Sequence, residues 1–157
     1  MIYLILKYVH VIGASVLLGT GAGIAFFMLL GHLTRKPVIV AAIARIVVIA
    51  DVLFTATAVI VQPITGVALA WHMGWSLWEG WIALSIALYL FTGAFWLPVV
   101  WMQMRMRDLA ADAATANRPL PAAYHRLFWW WFGFGFPAFG AVLAIFWLMI
   151  AKPQIGW

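Results

Sequence analysis

VIVAAIARIVVIADVLFTATAVIVQPITGVALAW, residues 38–71, carries only two formal charges, Arg45 and Asp51. A helix needs about 20 mainly apolar residues to cross the hydrocarbon of a bilayer, and this run exceeds that length. It shows none of the period-two alternation of barrel strands. With no water in the bilayer to satisfy backbone N–H and C=O groups, a helix is the form left to it. Three more runs have the same character, so the predicted helices are about 2–31, 38–71, 77–107 and 122–150. The Ala-rich residues after Arg107 are expected to prolong the third helix, until Asn117-Arg-Pro-Leu-Pro121 breaks it. Short connections imply antiparallel neighbours. The predicted fold is therefore all-α, a polytopic membrane protein with four transmembrane helices in one up-down bundle over residues 1–157.

Composition agrees. The chain is 68% hydrophobic and 8% charged, against about 45–50% and about 25% in soluble domains, so the lipid bilayer is its expected solvent. The absence of cysteine excludes disulfides, thiolate metal sites and covalent c-type haem attachment. The net charge of +5 carries no nucleic-acid signal, because the basic residues sit at the ends of apolar runs, where anchoring accounts for them. The opening run lacks a basic n-region and exceeds the about 7–15 apolar residues of a signal peptide, so it is expected to be retained as the first span.

Arg35, Lys36 and Arg45 cluster around the first connection, and Arg105, Arg107, Arg118 and Arg126 around the third; the opposite side has Lys7 and Lys152. The positive-inside rule then places both termini outside and both basic loops in the cytoplasm. Trp71, Trp75, Trp78 and Trp81 mark the outer interface, and Trp101 with Trp129, Trp130 and Trp131 the inner one.

Polar residues within spans are costly and are candidates for function. His10 lies two to three turns into the first helix. Lys7 and the pair Gly13 and Ala14 fall on the same face, above and below it. Imidazole is a common axial ligand of haem iron. Lys7 would anchor a propionate, and Gly13 and Ala14, continued by Gly21, would leave room for a flat ring. His72, at the outer end of the second helix, is the candidate second ligand. His32 and His125 are assigned to the cytoplasmic interface. The competing reading makes His10 structural. In it Asp51, Gln62 and Gln103 line a polar path for a small solute or proton, or the protein simply packs against partners. Asp51 and Arg45 lie six residues apart and point in different directions, so Asp51 is expected to meet Arg105 or Arg126 from another helix. Pro63, Pro98 and Pro137 are candidate kinks. Ser15, Gly19 and Gly23 form a small-residue stripe suited to packing within the monomer or to a homodimer. Nothing in the chain supports a hydrolase or a kinase.

Tyr3-Leu-Ile-Leu-Lys7-Tyr-Val-His10-Val-Ile, Gln62-Pro63-Ile-Thr-Gly66 and Trp96-x-Pro98…Gln103-x-Arg105 together resemble a bacterial family of small integral membrane proteins, the domain of unknown function 2269. The resemblance covers nearly the whole chain and implies a place in the bacterial inner membrane. Lys7-x-x-His10 and the closing Lys152-Pro153 are also similar to HemJ-type protoporphyrinogen oxidases. Those are four-helix membrane proteins whose helix-one histidine is associated with haem b. Ser85 stands where that family has a lysine. What this similarity implies is a b-type haem on His10, serving electron transfer, haem handling or an oxidase reaction, with a redox partner or quinone.

Overall fold

The computed structural model describes residues 1–155. Four helices are long and apolar enough to cross a membrane: α1 (Ile2–Thr34), α2 (Pro37–Met73), α3 (Gly80–Thr115) and α4 (Ala122–Ala151). Their ends follow local chemistry. α1 stops at Arg35, which adopts a left-handed conformation with φ 55°. Lys36 is extended and Pro37 opens α2 at its first turn, where a missing N–H costs nothing. α2 ends on Gly74 with φ 70°, a conformation glycine accepts without a Cβ clash. Pro121 precedes α4, and Lys152 with φ 42° closes it.

The sequence reading starts the third helix at 77 and ends its apolar span at 107, with the Ala-rich residues beyond expected to prolong it. The structure starts it at Gly80, because residues 74–79 form a turn, and carries it through that segment to Thr115.

The outer surface is apolar. Leu53, Ile60, Leu97 and Trp147 all stand exposed among many similar side chains, far beyond the apolar patches of a soluble monomer. This inside-out surface is that of an integral membrane protein, in which lipid covers what water would not.

Neighbouring helices pack in chain order. α1 packs along the whole of α2, α3 and α4 share a seam of similar extent, and α2 packs on α3 through its first half. α1 and α4 scarcely touch. At the end bearing the basic loops the bundle is solid: Met28, Val40, Ala44, Met106, Ala110, Tyr124 and Phe128 are fully enclosed. His32 stacks on Phe128 there, with ring centroids 3.6 Å apart, and lies 5.5 Å from His125. At the end bearing the termini a smaller cluster of Ala70, Trp81, Ile82 and Leu148 closes the bundle, and Lys152 Nζ lies 4.4 Å from the Trp75 ring centre.

The helices run unbroken through Pro63, Pro98 and Pro137. Among the described residues, the one departure from α geometry within a span is a π turn at Asp51–Thr55, where the Ala56 N–H bonds back to the Asp51 carbonyl. Such turns hold one extra residue and often mark functional sites. The Ser15–Gly19 stripe does not pack within the monomer as expected: both residues are exposed, and a Cβ on Gly19 or Gly23 would meet nothing within 4 Å.

Candidate functional site

Between the two closed ends lies a cavity of about 520 Å³ walled by all four helices. The poor contact between α1 and α4 makes room for it. Small residues from both helices line it, Ala14, Gly21, Ala22 and Ala25 on one side and Gly135 and Ala138 on the other. A Cβ on Gly21 or Gly135 would meet nothing within 4 Å. Aromatic side chains, among them Phe26, Tyr89, Phe136, Phe139 and Phe146, complete the wall.

Polar groups gather at the floor, toward the basic end. The π turn brings Asp51 and Thr55 to the cavity, where they are 3% and 6% exposed. Gln103, 2% exposed, donates its amide N–H to Asp51 Oδ2 at 3.2 Å and accepts from Trp131 Nε1 at 3.1 Å. Trp96 Nε1 donates to Asp51 Oδ1 at 3.4 Å. A chain of donors from α3 and α4 thus converges on one carboxyl group of α2. The Thr55 hydroxyl, also at the cavity, lies beside the Asp51 carboxyl without reaching full hydrogen-bonding geometry. The expected pairing of Asp51 with Arg105 or Arg126 does not occur. Both arginines are exposed, and the indole and amide donors take their place. Arg105 follows Gln103 by two residues, which rotates it about 200° around the helix and out of the core.

Gln62 lies at the opposite end of the cavity and closes the seam between α1 and α2. Its Nε2 donates to the His10 carbonyl at 2.8 Å and rests against Gly13, where a Cβ would collide with that amide. Gly13 therefore accepts Gln62 in this structure, while Ala14 faces the cavity. One turn away, His10 Nδ1 lies 2.8 Å from Thr65 Oγ1. The Thr65 hydroxyl also lies 2.8 Å from the Val61 carbonyl. When it donates there it accepts from a His10 Nδ1–H, the tautomer that leaves the lone pair on Nε2. The ring rests on Gly66, with Cε1 3.3 Å from where a Cβ would stand.

Lys7 is exposed, with Nζ 5.7 Å from the Tyr3 ring centre. Tyr3 stacks on His72 at 6.0 Å between centroids. His72 is seven residues beyond Thr65, about 10 Å along the helix, so the structure does not bring it to His10. Ser85 is 3% exposed and spends its hydroxyl on the Trp81 carbonyl at 2.7 Å.

A family model described as "Predicted integral membrane protein (DUF2269)" matches residues 4–153. The chain belongs to this family. No curated protein and no solved structure matches it. Membership establishes an integral membrane protein and carries no activity, so function is argued from the cavity.

Of the polar residues singled out in the sequence, the structure brings Asp51, Gln62 and Gln103 to one cavity and leaves His10 outside its lining. Sequence reasoning missed Thr65, Tyr89, Trp96 and Trp131 as partners. Thr65 sits in the quoted Gln62-Pro63-Ile-Thr-Gly66 stretch, and its spacing from Gln62 was the available signal. Trp131, read as an interface marker, and Trp96, read as part of Trp96-x-Pro98, gave no sign that their indoles donate inward.

Proposed function

We propose that this protein binds an apolar small molecule with a polar head, held inside the bundle with its head against Asp51, Thr55 and Gln103. The observation that carries the reading is a cavity walled by four membrane helices whose buried polar network sits at one end. Its location in a bacterial inner membrane, with both termini periplasmic, is part of the proposal and rests on the basic loops.

The energetics favour recognition at the head. Lipid tails are as apolar as the cavity wall, so a ligand gains little by hydrophobic transfer from one to the other. Packing against the wall and hydrogen bonds at the floor must supply the affinity, and the floor is where a buried polar group repays most. An acyl chain would fill the wall but offer nothing to Asp51, Thr55 and Gln103. A molecule with a polar head satisfies both. The floor also limits transport in this conformation: beyond Asp51 and Gln103 the enclosed side chains of Met28, Met106 and Phe128 block any continuous path.

Native mass spectrometry of the protein released from mild detergent tests the reading. A bound species of small-molecule mass is expected on the wild type and absent from Gly135→Leu, which fills the cavity. Identical spectra for the two proteins would refute it.

One observation favours a second reading, a b-type haem on His10. The Nδ1–H donated to Thr65 is the arrangement that orients a ligating imidazole and leaves Nε2 for iron. The similarity to HemJ-type oxidases supports it, with Lys7 near the interface for a propionate and electron transfer or haem handling as the role. Against it, a ring spread over Gly13 would have to displace Gln62, and Ser85 already donates to a backbone carbonyl. An absorption spectrum decides: a Soret band lost in His10→Ala is expected if the iron is there, and a colourless folded protein leaves the cavity reading alone.

A further inference from the structure

We infer that the occupant of this cavity is a lipophilic organic cation, its charge countered by Asp51. The inference rests on the cavity reading above and adds the class of ligand.

The chain has four acidic residues, and Asp51 is the one set in the middle of a span; Glu79, Asp108 and Asp112 lie at or near helix ends. Asp51 is 3% exposed. Its polar neighbours Thr55, Trp96 and Gln103 are neutral donors. Among the described residues the one ion pair joins Arg107 to Asp108 at 2.8 Å, well away from the cavity. A buried carboxylate without a cation is costly, and the donors that converge here suit the ionised form, which accepts and never donates. The walls supply the other half of the match. Tyr89, Trp96, Phe136 and Phe139 border the cavity, and aromatic faces attract a desolvated cation. One acid amid aromatic rings, open to apolar surroundings and lacking a base of its own, is complementary to a positive charge that arrives on a greasy molecule.

Binding is measured in phosphatidylcholine nanodiscs by displacement of Nile red, a neutral apolar dye, with tetraphenylphosphonium as the cation. The cation should displace the dye from the wild type and from Asp51→Glu, with at least a ten-fold loss in Asp51→Asn, each displacement being scored against the affinity of Nile red measured in that same protein. Tetraphenylborate matches the shape with the opposite charge, so it tests the wild type without any variant and should fail to displace. Equal displacement by both ions, or by the cation from wild type and Asp51→Asn, overturns the inference, as does a cation that displaces nothing while Nile red binds. Those outcomes leave the cavity reading standing. Absence of saturable Nile red binding to the wild type sinks that reading and this inference with it.

Discussion

Gln62 joins two helices with one amide. It donates to the His10 carbonyl across the α1–α2 seam and fits only because residue 13 has no side chain. Gly13→Ala should therefore push the amide off its acceptor and destabilise the protein by about 1–2 kcal/mol, the cost of a buried hydrogen bond undone. Thermal unfolding in detergent measures it. In a Gln62→Ala background the same change should cost much less, since the collision is gone. His10 was legible in the sequence as an unusual residue, and its chemistry was not. A lone histidine in an apolar run looks the same whether it faces iron or a threonine hydroxyl. The deciding partner, Thr65, lies fifty-five positions away. Asp51 was misread for a related reason. Formal charge invites pairing with formal charge, yet the Trp96 indole and the Gln103 amide serve the carboxyl, and neutral donors leave no mark in a charge pattern.

α2 shows how a membrane helix absorbs irregularity. Pro63 has no N–H, so the Val59 carbonyl loses its usual partner, and the hydrocarbon offers no water to replace it. The Tyr89 hydroxyl from α3 donates to that carbonyl. Tyr89→Phe should cost about 0.6–1 kcal/mol, the range for hydrogen bonds between membrane helices. In a Pro63→Ala background, where the backbone regains its own bond, it should cost less; a double-mutant cycle in a reversible unfolding assay resolves the difference. The π turn makes a separate prediction. It holds one extra residue, so deleting the exposed Leu53 should restore α register, keep both halves of the helix packed, and rotate Asp51 away from Gln103. Circular dichroism and melting temperature should stay near wild type while cavity binding falls at least ten-fold. The spans themselves were legible because lipid imposes length and apolarity on every one of them. The π turn was not, because one surplus residue in a long apolar run alters no hydropathy sum. Pro63 marked one irregular turn of the second helix and gave no sign of the π turn nearer its start.

The whole molecule is a bundle packed at both ends and hollow between them. The enclosed aromatic and methionine side chains near the basic loops provide the rigid part. The sparse contact of α1 with α4 provides the space. Which face of each helix meets which neighbour depends on rotations that a nearly all-apolar sequence encodes weakly, so the four-helix fold could be read and the cavity could not. Asp51, Gln62 and Gln103, picked out by their cost in lipid and read together as a polar path, are among the polar residues the cavity gathers. A binding site takes up a ligand saturably and slack packing does not. Nile red titration of wild type and Gly135→Leu in nanodiscs separates the two. A binding site here requires saturable binding to the wild type and at least a ten-fold loss in the variant, with an equal or higher melting temperature as the void is filled. Equal binding to both proteins, or none to the wild type, would contradict it.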